Sequence, residues 1–475
     1  TAELFYFTGK AFSNYITQKS KKDAKDIWVT VARDARHHSL ELSKALIKGL
    51  TSTGVNVIDL GLAPTPIGYY SEVANLNFDF YENKPEIIAS LVVTASHNPP
   101  EYNGLKMTYN KSSLSESEIA EVRELTRAEY KGMNKNANRT GYCKEVNIIP
   151  QYIENMANSF SRIGEGLKIV VDSANATAGV VAPELYRELG CEVIDIFTEP
   201  DGNFPNHHPN PSDEKTLDAI KAKIKETGAD FGIAFDGDSD RIGIVDNTGY
   251  SIPGDQLLLI FALDILKELK NRNEKPVFIS EVKCSQVLFD MINANGGNAI
   301  MWKTGHGYIK TKMKEEKAVL AGEMSGHIFF RDRYYGFDDA IYAGCRFIEI
   351  MAKNRRENPD IKVSDLIDAL PKMYTSREVR FPCPNEIKPK VLENLKARFE
   401  ENPNIFGEKI KDTITLDGLR IVFNSGFALI RASNTEPVFT LRFEAGTQEN
   451  LDKYRDTMLK ELEKSIETVQ QNALI

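Results

Sequence analysis

Apolar and polar positions fall into the same order three times along this chain. Each time an apolar run of strand length gives way to a polar turn, an amphipathic helix closed by glycine, and a second apolar run. The first copy reads IWVTVARD, SLELSKALIKGLTSTG and VNVIDLG over residues 27–61. The second reads LKIVVDS, GVVAPELYRELG and CEVIDIF over 167–197, and the third PVFISEV, CSQVLFDMINANGG and NAIMWKTG over 276–305. Strands alternating with helices at this spacing predict βαβ units on largely parallel sheets. Gly54, Gly190 and Gly296 stand where each helix must stop, as a left-handed cap requires.

A further apolar strand follows in every copy, and each runs straight into a polar loop. IIASLVV leads to TASHNPPEYNG, ADFGIAF to DGDSDR, and AVLAG to EMSGH. Ligands of open α/β sheets bind beyond the carboxyl ends of strands, so three loops at equivalent positions can converge on one cleft. After Pro371 the pattern changes. Short strands (TSREVRF, GLRIVF, FALIRAS, VFTLRFEA) alternate with helices over 389–401 and 450–469, which predicts an antiparallel sheet. The fold class is therefore α/β: three related α/β domains with mixed, mostly parallel sheets, then a smaller C-terminal α+β domain. The predicted boundaries are 1–147, 148–250, 251–370 and 371–475.

Length and charge narrow the functional classes. A chain of 475 residues is too long for one hydrophobic core. With 68 acidic and 59 basic side chains the net charge is −9, which argues against a nucleic-acid surface. Any anionic substrate must then be held by local cations and backbone N–H groups. The cysteines Cys143, Cys191, Cys284, Cys345 and Cys383 are scattered without a C-x-x-C pair, as in a reduced, cytoplasmic chain. The longest apolar stretch, 257–266, is short and broken by Asp264, so no membrane span is expected.

The loops carry the chemistry. Ser96 and His97 stand at a strand end before two prolines that forbid helix continuation, with Lys106 ten residues on. Taken alone they read as a solvated turn, because an unactivated serine is a weak nucleophile. Asp236, Asp238 and Asp240 alternate around Gly237 and can point to one centre, an oxygen donor set that suits magnesium or calcium. A calcium-binding helix–loop–helix is excluded, since Arg241 and Asn247 replace the glycine and glutamate it needs and strands flank the loop. Arg241 beside three carboxylates favours an anionic group sitting on the metal. In Glu323-Met324-Ser325-Gly326-His327 a carboxylate can accept from two adjacent sugar hydroxyls. Arg431-Ala432-Ser433-Asn434-Thr435, at a turn between two strands, offers a guanidinium fork and turn N–H groups as a phosphate cradle. Lys283 and His306 add donors near strand ends of the third repeat. His37, His38, His207 and His208 lie in polar loops and receive no chemical role.

Together these loops resemble the α-D-phosphohexomutase family, in particular its bacterial phosphomannomutase/phosphoglucomutase branch. The matching stretches are TASHNPPEYNGLKM, DGNFPNHHPNP, GIAFDGDSDRIGIVD, EVKCS, TGHGYIK, GEMSGHIFF, YYGFDDAIYA and RASNTEP. They occur in family order from about Gly9 to Glu444. The resemblance implies four domains around a central cleft, bearing in turn the phosphoserine, the metal, the sugar contacts and the phosphate site. It makes Ser96 the phosphorylated serine and, with Asp236, Asp238 and Asp240, a magnesium ligand. His97, Lys106 and Arg241 surround it as catalytic residues. Glu323 and Ser325 resemble contacts to sugar hydroxyls, with Met324, Gly326 and His327 lining the same loop, and Lys283, Gly305 and His306 match positions that also touch the substrate. Arg431, Ala432, Ser433, Asn434 and Thr435 resemble the site for the non-reacting phosphate. A strand and Gly-Arg-Gly loop, which family members carry before the first helix, would precede AELFYFTGKAFSNYI and are not in this sequence.

The implied reaction interconverts hexose 1-phosphate and hexose 6-phosphate, of mannose or glucose, through a hexose 1,6-bisphosphate that turns around in the cleft. That bisphosphate also serves as activator. His327 and His97 are alternative general bases. A phosphoglucosamine mutase is the nearest rival, although Met324 stands where those enzymes usually carry glutamine. A metal-dependent sugar phosphatase and a non-catalytic sugar-phosphate-binding protein are the others. A small phosphohexose is the expected partner, with no nucleic acid and no membrane. The sequence does not speak to oligomeric state, for which a monomer is the expectation.

Overall fold

The computed structural model describes residues 1–76, 85–132, 140–270, 275–433 and 436–472. Four sheets follow one another along the chain. The first contains β1 (Trp28–Arg33), β2 (Asn56–Leu62), β3 (Ile87–Val93), β4 (Leu105–Tyr109), β5 (Ser112–Ser113) and β6 (Cys143–Glu145), in the order β5-β4-β3-β1-β2-β6. The second holds β7 (Lys168–Asp172), β8 (Glu192–Ile196), β9 (Phe231–Phe235), β10 (Ile242–Asp246) and β11 (Ser251–Ile252), ordered β11-β10-β9-β7-β8. In the third, β12 (Val277–Glu281), β13 (Asn298–Trp302), β14 (Leu320–Gly322) and β15 (Ile328–Phe330) run β13-β12-β14-β15.

The common motif is three parallel strands and an antiparallel return, as in β2-β1-β3-β4, β8-β7-β9-β10 and β13-β12-β14-β15. The repeat seen in the sequence is thus a repeat of topology. It brings the loops after β3, β9 and β14 to equivalent strand ends. Strands β3 and β9 are buried at every position because helices cover both faces of their sheets.

The last sheet is antiparallel: β16 (Tyr374–Thr375), β17 (Val379–Pro382), β18 (Asp412–Ile414), β19 (Leu419–Val422), β20 (Gly426–Ala432) and β21 (Val438–Ala445). Helices Lys388–Glu401 and Gln448–Asn472 cover one face, and Val391, Leu395, Tyr454, Met458 and Leu462 fill the core beneath them.

Separate cores are found, as in the first and last domains, but the first three domains also share one. One apolar cluster runs without a break from Trp28 in the first sheet to Leu370. The helix Ala340–Glu357 joins its parts: it follows the third sheet in sequence but packs on the second. Its Phe347 ring lies 5.0 Å from Phe231, and Tyr186 Oη donates to Ile341 O at 3.1 Å. Periodicity shows that a helix has a buried face, but not which domain covers it.

Glu72 gives a stability test. It is only 7 % exposed, accepts from the Thr108 hydroxyl, and accepts the Lys111 N–H at 3.0 Å. Burial pushes its carboxyl up to about 7. The folded chain therefore holds this proton more tightly than the unfolded chain, and the stabilisation present at low pH is lost as pH rises from the unfolded value through about 7. Glu72→Gln, which cannot ionise, is expected to gain stability over the wild type across that window. The gain should level off above it, at on the order of 3 kcal/mol. Urea denaturation at pH 5 and pH 8 checks this.

Candidate active site

The loop after β3 is set by a buried guanidinium. Ser96 takes a φ of 50°, a left-handed backbone that costs a non-glycine residue about 1–2 kcal/mol. Arg36, just beyond the end of the neighbouring strand β1, holds it there. Its Nη2 donates to Ser96 O at 2.8 Å and to Asn98 O at 2.6 Å. Its Nη1 donates to Pro99 O and to Tyr102 O at 3.3 Å, and its Nε to Asp34 Oδ2 at 3.0 Å. All three guanidinium nitrogens are engaged and the side chain is fully buried. Ser96 N adds a bond to Thr94 Oγ1 at 2.9 Å. The strand-end Asp34 and Arg36 escaped the sequence reading, although the strand-end rule that selected the other loops also points at β1.

The aspartate loop meets this serine. Ser96 Oγ donates to Asp236 Oδ2 at 2.7 Å and lies 3.3 Å from His97 Nδ1. Asp236, Asp238 and Asp240 are fully buried, and their ligand oxygens lie within 4.8 Å of one another. Lys106 on β4 reaches both Asp238 Oδ2, at 2.6 Å, and Asp240 Oδ2. Burial, with the charges of Asp240 and Asp238, pushes Asp236 well above the usual carboxylate range. Burial also works against ionisation of Asp240, but Lys106 and His327 outweigh it and hold that carboxyl well below its ordinary value. Thr65, unnoticed in the sequence, fixes the loop by donating its N–H to Asp238 O at 2.8 Å and its hydroxyl to the Asp238 carboxylate.

These residues suit a hard divalent cation. Asp238 Oδ1 and Asp240 Oδ1 are buried without a hydrogen-bond partner among the described residues, and an all-oxygen donor set matches magnesium chemistry.

Close approach of the two loops depends on Gly237, whose added Cβ would collide with Ser96 O. Gly237→Ala is expected to push the aspartates away from the serine and lower kcat about 100-fold, the cost of roughly 1 Å of misplacement. The chain should still fold, at a penalty of about 1–3 kcal/mol. Steady-state kinetics beside a thermal melt separate the two effects.

The loop after β14 zips onto the aspartate loop through its backbone. Ile242 N donates to Gly326 O at 3.1 Å, and Gly326, at φ 92°, leaves no room for a side chain against Ile242 O. Glu323 is buried, accepts the Gly305 N–H at 2.7 Å, and lies 3.1 Å from His327 Nδ1. Met324 N donates to Glu281 Oε1 at 2.9 Å, and Ser325 O accepts from Ser212 Oγ at 2.9 Å. The Ser325 hydroxyl lies 2.9 Å from His327 Nδ1.

The two histidines differ. Burial, with Arg241 next, pulls His97 down to about 3, so it is neutral. Burial also opposes the charge on His327, but Asp240 outweighs it and carries the imidazole up to about 9. Arg241 Nε, 3.2 Å from His327 Nε2, favours the neutral ring while Asp240 Oδ1, at 3.4 Å, favours the cation. His306 stacks on His327 at 5.6 Å and lies 3.5 Å from the buried carboxylate of Asp338, which Lys310 also holds at 3.0 Å. Asp338 lay within a stretch quoted from the sequence but was not singled out.

Arg431 and Ala432 end β20. The Arg431 guanidinium is held by Asp417 at 2.9–3.0 Å, and the same Asp417 Oδ2 accepts the N–H of Thr304 at 3.0 Å, next to Gly305 and His306. The last domain is thereby tied to the third. Lys388 Nζ donates to Ser433 O at 2.9 Å. Asn434 and Thr435 lie outside the described residues. Lys283 lies 3.6 Å from Glu281 Oε1, between Val282 and Cys284, whose carbonyls accept from the buried Arg420 of β19. The structure thus brings Ser96, His97, Lys106, the three aspartates, Arg241, Glu323 and His327 into one cluster, with Arg431 and Lys283 joined to it through the boundary between the last two domains.

Four family models match the chain in order: phosphoglucomutase/phosphomannomutase alpha/beta/alpha domain I over residues 1–133, domain II over 150–249, domain III over 253–374, and the C-terminal domain over 378–461. The chain belongs to the phosphoglucomutase/phosphomannomutase family. A phosphomannomutase/phosphoglucomutase of Pseudomonas aeruginosa PAO1 is 39 % identical over 462 residues, spanning 97 % of this chain and 92 % of that protein. A phosphoglucomutase of Neisseria gonorrhoeae is 37 % identical over 457 residues, spanning 96 % and 92 %. A crystal structure of a phosphoglucomutase/phosphomannomutase family protein from Burkholderia thailandensis superposes with a TM-score of 0.86 at 36 % identity, covering 98 % of this chain and 94 % of that one. The α-D-phosphohexomutase resemblance of the loops and the phosphoglucomutase/phosphomannomutase family of the whole chain therefore agree.

Proposed function

We propose that this chain interconverts hexose 1-phosphate and hexose 6-phosphate of glucose and mannose, with Ser96 as the carrier of the phosphoryl group. The observation that carries the assignment is the 2.7 Å bond from Ser96 Oγ to Asp236, at the mouth of a buried three-carboxylate loop.

Asp236, Asp238 and Asp240, with Ser96, would hold magnesium, which would supply positive charge to the transferring phosphoryl group. Lys106 and Arg241 add charge from the chain itself. The substrate binds by its own phosphate at Arg431, Ala432 and Ser433, with Asn434 and Thr435 completing that loop, and by its hydroxyls at Glu323 and Ser325. Met324, Gly326, Gly305, His306 and Lys283 line the same part of the cleft. The 6-hydroxyl oxygen then bonds to phosphorus as the bond to Ser96 Oγ breaks, and the electron pair stays on the serine. The hydroxyl proton leaves to a general base, for which His97 and His327 are the two candidates, and is given back to the departing sugar oxygen in the second transfer. The resulting hexose 1,6-bisphosphate turns around, returns its 1-phosphoryl to Ser96 and leaves as the 6-phosphate. Most of the acceleration in such transfers comes from positioning and charge.

The net charge of −9 argues against nucleic acid as partner, and a small phosphohexose is held by local cations against it. No helix of the described residues is long and apolar enough to cross a membrane. A monomer acting in the cytoplasm is the simplest setting. Incubation with glucose 1-phosphate, mannose 1-phosphate and glucosamine 1-phosphate tests the reading. The first two should yield their 6-phosphates without free phosphate. Inorganic phosphate as the main product, or preference for the amino sugar, would overturn it.

A further inference from the structure

A cavity of about 800 Å³ opens between the first and third domains, apart from the cleft. One wall is the turn from β4 to β5, residues 108–113, with Ser115. The other is the helix His306–Glu315 and the loop carrying Arg331 and Phe337. Ser96, the three aspartates, Arg241, Glu323 and His327 take no part in it. Tyr69 and Lys310, whose ammonium lies 4.7 Å from the Tyr69 ring centre, also line it.

Its charges are unbalanced. Glu72 and Glu118 reach the cavity, but both are committed internally, Glu72 to Thr108 and the Lys111 N–H, Glu118 to Ser115 and to Tyr15 Oη at 2.9 Å. Lys111, Lys314 and Arg331 form no close ion pair among the described residues, Lys111 acting on Glu72 and Glu86 only through its charge, although the chain as a whole is acidic. A lone exposed lysine means little. Here cations from two domains face one space, with the hydroxyls of Ser112, Ser113 and Thr311 between them. The volume suits a small organic ligand.

We propose that this cavity is a second ligand site, for a small phosphorylated metabolite carrying at least two negative charges, distinct from the catalytic cleft. Three elements of its wall lead directly into that cleft. Strand β4 carries Lys106, the helix begins at His306, and the Arg331–Phe337 loop ends beside Asp338. Lys310 touches the cavity and pairs with Asp338, which faces His306. An anion bridging Lys111 and Arg331 would fix the first domain against the third and compete with Asp338 for Lys310. The site is therefore regulatory in character.

Inorganic pyrophosphate serves as probe, titrated calorimetrically into the full chain with saturating glucose 1-phosphate in the cleft and no added metal. One site should remain, weakened about tenfold or more in the Lys111→Glu, Arg331→Glu double variant, the scale of losing two charge-assisted contacts. The single variant Lys111→Gln should weaken it less, and all variants should retain mutase turnover in the absence of probe. The variants rather than the sugar phosphate locate the site, so the result does not depend on the substrate assignment. The proposal is overturned by absence of binding, by complete displacement with glucose 1-phosphate, or by unchanged affinity in folded variants.

Discussion

Ser96→Ala is expected to lose turnover of glucose 1-phosphate by about 10⁴-fold or more, the scale seen when a covalent catalytic residue is removed. Binding of the sugar phosphate should remain. Alanine offers no oxygen to carry the phosphoryl group, so neither half of the exchange can occur. Little else changes, because the left-handed backbone at Ser96 is imposed by Arg36 and Thr94, and alanine tolerates it about as well as serine does. The aspartate loop is held independently by Thr65. The expected pattern is thus a collapse of kcat with an affinity for glucose 1-phosphate, read by calorimetry, within a few-fold of the parent. Full turnover in this variant would move the chemistry away from Ser96.

Arg36→Ala should produce the second largest effect, and by a different route. Arg36 touches no reacting atom in the proposed mechanism; it is a positioning residue. Its loss strips the partner from four backbone carbonyls of the serine loop and leaves Asp34 buried without its cation. Burial already pushes the Asp34 carboxyl up despite Ser39 and Arg36. Breaking a buried pair in this way costs about 3–5 kcal/mol. The freed loop no longer presents Ser96 rigidly, and kcat should fall about 100- to 1,000-fold. Arg36→Lys separates the two consequences. An ammonium keeps the charge beside Asp34 but cannot serve the spread of carbonyls that the planar fork reaches. It should recover most of the stability, measured by urea denaturation, while kcat stays low. Recovery of both would reduce Arg36 to a folding role.

Much of this was legible in the sequence because it is local. The three strand–helix–strand copies, their glycine stops and the loops after β3, β9 and β14 each occupy a few dozen consecutive residues. The rule that ligands gather at strand ends then singled out Ser96, the three aspartates and Glu323. What stayed hidden depends on contacts between distant segments. Arg36 acts on carbonyls 60 to 66 positions away, and Lys106 meets aspartates more than 130 positions away. Asp417 holds Arg431 while also binding Thr304, which lies in another domain. The helix Ala340–Glu357 announces a buried face but not the sheet that buries it. The same limit applies to the cavity between the first and third domains, whose cations come from segments some 200 residues apart.

The claim on which the rest stands is that Ser96 carries the phosphoryl group. Phosphopeptide mass spectrometry of the full chain, after equilibration with glucose 1,6-bisphosphate and magnesium, tests it most directly. One added phosphoryl group on the peptide containing Ser96, absent from the Ser96→Ala variant, is the predicted result. An unmodified Ser96 peptide from fully active enzyme, or the phosphoryl group on another residue, would contradict it.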